Sequence, residues 1–584
     1  MANIYEETSD ILFQIEHCID WDKVIPLRER NFVDAKEYEK TKDGRYENAP
    51  TNTEEAIESY KTILEAFGDI ISTELLPYTQ EIDKKGLTLK DGKVTFPEPM
   101  TRFINTLRDS GLLPFAHRRE YGGYNLSFVA RQPIMEMVYG SDIATGIVMG
   151  YFNMAEVIEK FGSDEMKKKY LPMFGQGKIL GAMALTEPNY GSDLSQIQTK
   201  AEKNSDGTFT ITGTKRFITQ GCGFGEYPAA IFTIARSKNA AGAKGISFFL
   251  VETPDVEISR LEEKIGLHGS ATCEVVYEGS KGLLIGEEGY GLVKYAIALM
   301  NGARLAIACQ SLGVAQGALR QAQKYAGERV QFGSEIQNLP PVKRMLDESV
   351  ARVQASRALI YRTAMIVDYL EGNQGKLQDQ GMAEREINKD PEVMKWDKLA
   401  KIFTPTSKLT ASEFALQVAT DAVQIHGGVG YTEEFEIAKV YRDARISTIY
   451  EGTSQLQTVA IIGGVVEGIS ENSILFKYVS EELLKVGDES LRSKLEGHWN
   501  SLKNNVGVYK NLEKDIRSAA AWDVAWHWCY FITSVFLAEQ VTIVTKKGLT
   551  KLVEEKSKVL KTYLMIADRQ IAASCKQIEN YSAG

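Results

Sequence analysis

One acidic residue near position 450 has a setting that suits proton transfer. Glu451 stands between an aromatic residue and a glycine in the segment 449–457, which reads IYEGTSQLQ. The small residues around it would allow a ligand to approach the backbone closely. A carboxylate among apolar groups is poorly solvated, so its pKa rises and it can act as a base near neutral pH. The alternative interpretation, which is the commoner case for a single Glu, is a surface carboxylate before a glycine that ends a helix.

Five further segments carry residue types that suit a bound dinucleotide or a thioester. Hydroxyls, backbone amides and glycines can approach phosphates and a ring edge, and arginine can pair with a pyrophosphate. Each segment also has a plain structural explanation, such as a turn, a buried strand aromatic or a Glu–Arg pair on a helix surface. In chain order the segments are MALTEPNYGSD (183–193), KRFIT (215–219), NGAR (301–304), ERVQFG (328–333) and QIHGG (424–428). None of them is the G-x-G-x-x-G fingerprint of a Rossmann crevice.

The elements that must position these segments change in type along the chain. Apolar residues recur at helical spacing before about residue 180, short runs rich in Ile, Val, Thr and Phe follow, and helical spacing returns after Leu292. A chain of 584 residues exceeds what one hydrophobic core usually spans. The predicted divisions are an N-terminal extension (1–40) broken at Pro26, a helical domain (41–180), a β domain (181–291), a helical bundle (292–465) with an inserted polar surface loop at about 371–396, and an appended helical domain (466–584).

Net charge and cysteine usage limit the possible classes of function and the possible cellular compartments. A net charge of −10 argues against a protein that follows nucleic-acid phosphates. The six cysteines are scattered, with no CxxC pair and no histidine at metal-ligand spacing, which predicts reduced thiols, no metal site and a cytoplasmic protein. The first residues do not have the basic start and apolar core of a signal peptide, and the longest apolar run, residues 526–538, is too short to cross a bilayer. We therefore expect no membrane span.

From about residue 50 to residue 465 the sequence resembles the acyl-CoA dehydrogenase family. The resemblance rests on the order of helical domain, β domain, helical bundle and YEGT segment, together with the five segments quoted above. It implies a mostly α fold with a central β domain: an N-terminal helical domain, a β-barrel-like middle domain, a C-terminal four-helix bundle and, here, an appended helical domain. It also implies FAD as the cofactor and an acyl-CoA thioester as the substrate.

The resemblance assigns expected roles to individual residues. Leu185 and Thr186 would hydrogen-bond the pyrimidine edge of the flavin, and Ser192 would contact both cofactor and CoA. The remaining expected cofactor contacts are Phe217, Ile218 and Thr219 in the strand behind the ring, Arg329, Gln331, Phe332, Gln424, Gly427 and Gly428 toward the FAD of a neighbouring subunit, and Thr453 and Gln455 after the acidic residue. The expected substrate contacts, besides Ser192, are Asn301, Arg304 and Gly452. His426 is expected to be packed or hydrogen-bonded.

The chemistry implied by the resemblance is α,β-dehydrogenation. Glu451 would take the α-proton while the β-hydride passes to flavin N5, which yields a trans-2-enoyl-CoA. Some subfamilies carry the catalytic Glu immediately before the Arg of the NGAR segment, but this chain has Ala303 there, so the assignment falls on Glu451. An electron-transfer flavoprotein is the implied electron acceptor, and fatty acid β-oxidation is the implied pathway class.

The extra block after residue 470, the insertion near 371–396 and the N-terminal extension resemble a longer subgroup, which includes 3-methylthiopropanoyl-CoA dehydrogenases and some broad-range bacterial enzymes. We expect a homodimer, because an appended domain rich in aromatics would cover a face that shorter relatives use to form tetramers. An acyl-CoA oxidase that reduces dioxygen shares the fold and the base, and stays open as an alternative. The other two alternatives are a flavin-containing DNA-binding relative and a scaffold protein with vestigial flavin motifs.

Overall fold

The computed structural model describes residues 3–582, apart from the side chains of residues 298 and 301. The chain divides into two compact units. The first contains the residues up to Glu7 and Asn31–Ala303, and the second contains Thr8–Arg30 and the chain from Arg304 onward. The protein is mostly helical with a central β domain, which confirms the predicted fold class.

Helices make up most of the chain before residue 180. They are α1 (Ile4–Glu7), α2 (Ser9–Phe13), α3 (Trp21–Arg28), α4 (Val33–Thr41), α5 (Thr53–Ile70), α6 (Thr79–Lys85), α7 (Glu98–Asp109), α8 (Phe128–Ser141), α9 (Ile143–Phe152), α10 (Glu156–Phe161) and α11 (Asp164–Gly175). Asn52 caps α5 by accepting a hydrogen bond from the backbone N–H of Glu55. Residues three and four apart on α5, such as Tyr60, Ile63 and Leu64, are buried, as its helical spacing predicts.

The strands of the first unit form a small hairpin and a closed sheet. They are β1 (Thr88–Lys90), β2 (Lys93–Thr95), β3 (Leu180–Ala184), β4 (Lys200–Lys203), β5 (Phe209–Thr219), β6 (Ala229–Arg236), β7 (Ile246–Glu252), β8 (Glu257–Leu261) and β9 (Thr272–Ile285). The hairpin of β1 and β2 lies inside the segment predicted to be helical. In the sheet, β6 pairs with β7, β7 with β9, β9 with β5 and β5 with β4, and β4 meets β6 at Lys200 and Arg236. The ring of pairings makes the domain barrel-like, with β3 added parallel to β6.

The second unit is built almost entirely of helices. Its remaining elements are the last part of α12 (Ile297–Glu328), the short strands β10 (Val330–Gln331) and β11 (Ser334–Glu335), and the helices α13 (Pro340–Asp379), α14 (Glu384–Ile387), α15 (Pro391–His426), α16 (Ile437–Ala444), α17 (Ser454–Gly468), α18 (Ile474–Leu484), α19 (Glu489–Asn511), α20 (Lys514–Lys546) and α21 (Thr550–Ser582). The two longest bundle helices, α13 and α15, pack against each other along their length.

The prediction of a polar surface loop at about 371–396 was wrong. The first residues of that segment continue α13, a short helix follows, and α15 begins at Pro391. Only short connections, such as residues 380–383, lie outside helices. The segment is polar because its side chains are mostly exposed, and an exposed helix has no apolar stripe by which it could be recognised.

The N-terminal extension does not behave as one piece. Its first residues belong to the first unit, where the backbone N–H of Ile4 donates to Ser72 Oγ at 3.0 Å. The part from Thr8 to Arg30 belongs to the second unit, where the buried Asp10 carboxylate pairs with Arg357 and Lys556. The predicted break at Pro26 was also wrong, because that residue lies inside α3.

Aromatic residues of the appended domain, such as Trp528 and Tyr530, are buried against the bundle, whereas Trp522 is exposed. The Trp528 ring is fully buried, lies 5.7 Å from the Phe403 ring of α15, and donates its Nε1–H to Thr406 Oγ1 at 3.0 Å. Phe414 of α15 likewise contacts the rings of Tyr530 and Tyr563. By length and composition α20 could cross a membrane, yet 83% of its most apolar window is buried within the protein. The helix is therefore a core element of the second unit.

Candidate active site

The backbone at Glu451 takes a conformation that is unusual for a residue with a side chain. Its φ is +52°, and Gly452 follows with a φ of +92°. A left-handed conformation at a non-glycine residue costs free energy and persists where the surrounding structure holds it. The turn connects the one-turn helix Arg445–Thr448 to α17, whose first turn is capped by the Thr453 side chain accepting from the Leu456 N–H. Glu451 therefore lies on a sharp, non-helical turn.

Two buried side chains hold this turn through its carbonyl groups. Lys408 Nζ, from α15, donates to the Gly452 oxygen at 2.8 Å. Gln457 Nε2, from α17, donates to the same oxygen at 2.9 Å and to the Glu451 oxygen at 3.1 Å. Both side chains are fully buried, so these hydrogen bonds are shielded from competing water.

The Glu451 carboxylate lies in an environment that favours its neutral form. Burial raises its pKa from 4.5 to about 7, although the positive charges of Arg304 and Lys408 act in the opposite direction. Burial also lowers the pKa of Lys408 to about 8. A carboxyl group with a pKa near neutrality can both take and release a proton at working pH, which is what a general base needs.

The helix α12 contributes two further side chains, Arg304 and Gln310, to the surroundings of Glu451. Arg304, half-buried, interacts with the Glu451 charge, and burial lowers the pKa of its guanidinium. Further along α12, Gln310 accepts a hydrogen bond from the Tyr450 hydroxyl, so the residue just before Glu451 is also held. The side chain of Asn301, an expected substrate contact, lies outside the described residues.

In the first unit, the Leu185–Thr186 segment follows β3 and leaves hydrogen-bonding groups unused. Within residues 3–582, no protein acceptor receives the backbone N–H of either residue, whereas the Thr186 oxygen accepts from the Arg216 N–H at 2.9 Å. Glu187 and Tyr190 exchange two backbone hydrogen bonds, which closes a tight turn. Ser192 follows this turn and is exposed. The unused N–H groups are donors of the kind that a pyrimidine ring edge accepts.

A buried ion pair fixes this segment to β5. Lys215 Nζ donates to the Leu185 oxygen at 3.0 Å and to Glu187 Oε1 at 2.9 Å, and the Lys215 side chain is fully buried. The Glu187 carboxylate also accepts the backbone N–H groups of Gln198 and Thr199. Burial lowers the pKa of Lys215 to about 8, while Glu187 opposes that change. The pair sets the position of the Leu185–Thr186 backbone.

The end of β5 presents an aromatic side chain to solvent. The pairing of β5 with β9 shifts register between Lys215 and Ile218, and at this bulge Phe217 has a φ of +62° and is 52% exposed. Ile218 is buried and Thr219 is half-buried. The interpretation of Phe217 as a core aromatic is thereby excluded, and the exposed ring is available to pack on a ligand.

The remaining expected cofactor contacts gather at one end of the bundle of the second unit. Tyr325 near the end of α12 stacks on His426 at the end of α15, with ring centroids 4.4 Å apart. This contact brings together two exposed groups of residues, namely Arg329, Gln331 and Phe332 after α12, and Gln424, Gly427 and Gly428 around the end of α15. His426 donates its Nδ1–H to the Ala422 oxygen at 2.7 Å, so it is packed and hydrogen-bonded, as predicted.

This exposed surface fits a bound pyrophosphate and an adenine ring. Added Cβ atoms at Gly427 and Gly428 would meet nothing within 4 Å, so a phosphate could approach their backbone. Phe332 is 94% exposed on the hairpin of β10 and β11, where an aromatic side chain gains nothing from solvent. In the first unit, the unused N–H groups after β3 and the exposed Phe217 ring suit the isoalloxazine ring of FAD.

The sequence interpretation missed the residues that hold the proposed contacts in place. Lys408, Gln457 and Lys215 were given no specific role, and Glu187 appeared only as one residue of the segment 183–193. The signal for Lys408 was a single charged residue within the stretch 404–412 of α15, which otherwise contains only Thr, Ser, Pro, Leu and Ala. Thr453 and Gln455, which were predicted to contact the cofactor, lie at the start of α17, where Thr453 is half-buried and Gln455 is exposed.

Comparison with known proteins assigns a family to this arrangement. Family models described as the N-terminal, middle and C-terminal domains of acyl-CoA dehydrogenase match residues 58–178, 182–280 and 291–465. The 3-methylmercaptopropionyl-CoA dehydrogenase of Ruegeria pomeroyi is 32% identical over 483 residues, which cover 78% of this chain and 75% of that protein.

Two solved structures extend the comparison. An acyl-CoA dehydrogenase from Bacillus anthracis, described as complexed with FAD, is 25% identical with a TM-score of 0.75 and covers 89% of this chain and 88% of its own. A chain from a structure of the electron transferring flavoprotein of Acidaminococcus fermentans is 30% identical with a TM-score of 0.58, covering 69% of this chain and 97% of its own. With matches to all three of its domains, this chain belongs to the acyl-CoA dehydrogenase family.

Proposed function

We propose that the protein uses FAD to dehydrogenate an acyl-CoA thioester to the trans-2-enoyl-CoA, with Glu451 as the base that takes the α-proton. The observation that carries the proposal is the setting of Glu451. The residue lies on a left-handed turn that Lys408 and Gln457 hold, and the pKa of its carboxyl group is about 7. An α-proton next to a thioester is weakly acidic, so the base must be held in place and must be ionised at working pH.

The residues of this chain supply binding, orientation and proton transfer. The N–H groups of Leu185 and Thr186, kept in position by Lys215, would hold the flavin ring edge, and Phe217 would pack against the ring. Bound FAD would supply the acceptor for the β-hydride. The Glu451 backbone N–H lies next to the base and would donate to the thioester oxygen, a contribution of about 3 kcal/mol per donor in comparable oxyanion sites.

Three further features of the function are inferences. An electron-transfer flavoprotein is the proposed electron acceptor, supported by the similarity to a chain from an electron transferring flavoprotein structure. Fatty acid β-oxidation is the proposed pathway class, because the reaction forms a 2,3-unsaturated thioester. A cytoplasmic location is supported by six cysteines that are all free thiols.

We also propose a homodimer. The exposed end of the bundle that carries Arg329, Gln424 and Gly427 would complete the FAD site of the partner subunit. The appended helices cover a face of α13 and α15 with buried aromatics, which leaves that face closed to a second dimer.

Anaerobic titration of the purified protein with a panel of acyl-CoAs tests the proposed reaction. The expected result is a yellow protein with about one FAD per chain, whose oxidised flavin absorbance bleaches with at least one acyl-CoA. A protein that binds no FAD, or a flavin that no acyl-CoA reduces, would overturn the proposal. Admission of air then separates the two flavin chemistries: slow reoxidation supports a dehydrogenase, and reoxidation as fast as turnover identifies an acyl-CoA oxidase.

A further inference from the structure

The turn that carries Glu451 depends on a lysine from another helix. Lys408 is fully buried in α15, and its Nζ donates to the Gly452 oxygen at 2.8 Å. Gln457 donates to the same oxygen, but it comes from α17, the helix that the turn itself begins. Lys408 therefore ties the Gly452 carbonyl of this turn to α15, beside the contacts that Tyr450 makes with Gln310 and Ser454 makes with Glu413.

Burying an ammonium group is costly unless the charge is compensated. Glu413, one and a half turns further along α15, and Glu451 are the negative charges that interact with Lys408, and Arg304 is a positive one. Glu413 is itself engaged by the Ser454 hydroxyl at 2.5 Å, at the start of α17. Methionine would fill a similar volume in this helix without the cost, so packing alone does not explain a lysine at this position.

We propose that Lys408 is a positioning residue for the base: its ammonium fastens the Gly452 carbonyl and with it the left-handed turn of Glu451, and its positive charge favours the ionised carboxylate. The inference rests on the proposed function, since it assigns Lys408 a role in the proton abstraction by Glu451. The two parts of the role can be separated, because Gln457 makes the same kind of hydrogen bond to the same turn and carries no charge.

The charge on Lys408 has a definite consequence for the pH dependence. Among the described residues, the charged groups that interact with Glu451 are Arg304 from α12 and Lys408 from α15, and both lower its pKa against the effect of burial. The pKa of Lys408 is about 8, so its charge is present at pH 7. Removing that charge raises the pKa of Glu451 further, and a larger share of the base is protonated at neutral pH.

The test measures flavin reduction by a reactive acyl-CoA in the FAD-loaded protein between about pH 6 and about pH 9. Lys408→Met removes the hydrogen bond and the charge, and Gln457→Leu is the matched control that removes hydrogen bonds to the same turn and no charge. We expect the acidic limb of the rate profile to move upward by about one pH unit in Lys408→Met, with a rate at pH 7 about fivefold lower from protonation alone. Gln457→Leu should slow flavin reduction without changing the pH at which the rate falls on the acidic side. Lys408→Arg keeps the positive charge, so its acidic limb should lie at the wild-type pH.

A second readout does not need turnover. Infrared difference spectra of the protein without substrate, recorded against pH, follow the carboxyl band that disappears in Glu451→Gln. Its titration midpoint should rise in Lys408→Met and stay in place in Gln457→Leu. If Lys408→Met fails to fold, Lys408→Gln removes the charge while it keeps a donor, and the same shift is expected.

The outcomes separate the two proposals. A wild-type protein that no acyl-CoA reduces overturns the proposed function and this inference with it. A wild-type protein that is reduced, together with a Lys408→Met protein whose rate limb and carboxyl titration match the wild type, overturns the role of Lys408 and leaves the role of Glu451 intact. A limb that moves equally in Gln457→Leu would show that the turn geometry, and not the lysine charge, controls the ionisation of Glu451.

Discussion

At the scale of single residues, the proposed chemistry depends on the balance between burial and the charges around the Glu451 carboxylate. Burial pushes the pKa of Glu451 up, and Arg304 and Lys408 pull it down, with a result of about 7. Without the two cations the group would stay protonated at neutral pH, and without burial it would be too weak a base. The positive φ of Glu451 also constrains where its side chain can lie, because the residue is on a turn and not on a regular helix.

Replacing Glu451 by glutamine keeps the shape of the side chain and removes its basicity. FAD should stay bound, and reduction of the flavin by acyl-CoA should fall by at least about 100-fold. Stopped-flow spectroscopy under anaerobic conditions measures this rate. A near wild-type rate in Glu451→Gln would show that another group takes the proton. Glu at Ala303 in the same background tests whether the neighbouring position on α12 can take over the role.

The same substitution should change how stability depends on pH. The folded protein keeps the Glu451 proton up to about pH 7, whereas the unfolded chain releases it near 4.5, so this group stabilises the fold less as the pH rises through that window. Glu451→Gln removes this dependence. Thermal unfolding should therefore show a difference in stability between Glu451→Gln and wild type that is more favourable to the variant at about pH 8 than at about pH 5. An equal difference at both values would contradict the raised pKa.

At the scale of elements, the Leu185–Thr186 segment after β3, which carries proposed flavin contacts, is held to β5 by one buried ion pair. Lys215 and Glu187 neutralise each other inside the barrel domain, and Lys215 also binds the Leu185 carbonyl. Because the bulge that carries Phe217 directly follows Lys215 on the same strand, the ion pair and the exposed aromatic ring are positioned together. The backbone donors proposed to contact the cofactor therefore lie next to a buried, hydrogen-bonded ion pair.

Lys215→Met should leave Glu187 as a buried charge without its partner. We expect a loss of about 3 kcal/mol in the free energy of unfolding, together with weaker retention of FAD. The double variant Lys215→Met with Glu187→Gln should recover part of the stability, since no uncompensated charge remains. Urea unfolding measures the first effect, and flavin release on gel filtration measures the second. Equal stability of wild type and Lys215→Met would contradict the importance of the pair.

At the scale of the whole molecule, the proposed dimer would place the exposed end of one bundle against the cofactor of the partner subunit. Arg329→Ala should therefore lose FAD more readily than wild type, with a loss of about 2–5 kcal/mol for a charge partner removed from a pyrophosphate. Arg385→Ala, an exposed arginine on α14, is the control and should retain FAD. Unchanged FAD retention in Arg329→Ala would remove the proposed role of this surface.

The appended helices should decide the oligomeric state. Light scattering of the intact protein should give a mass near twice 65.0 kDa. Truncation near residue 470 would uncover Phe403, Phe414 and the apolar face around them, and should yield tetramers or aggregate. A full-length tetramer, or a truncated protein that stays a well-behaved dimer, would show that the appended helices serve another purpose.

Some features of this protein follow from the sequence by itself. The order of helical, β and helical segments, the YEGT segment and the family were all recognisable, because they depend on local periodicity and on short motifs of specific residue types. The packed, hydrogen-bonded state of His426 was also predicted correctly. Local patterns carry this information because one buried face imposes its period on the chain.

Other features were decided only by the tertiary structure. The polar segment at about 371–396 is helical although no apolar stripe announces it, and Pro26 lies within α3. The split of the first 30 residues between two units depends on partners, such as Arg357 and Lys556, that lie hundreds of residues away. Lys408 and Glu451 are likewise 43 positions apart and meet only because α15 packs beside the turn before α17. A pKa of about 7 is a property of that packing, since burial and neighbouring charges arise only when distant parts of the chain come together.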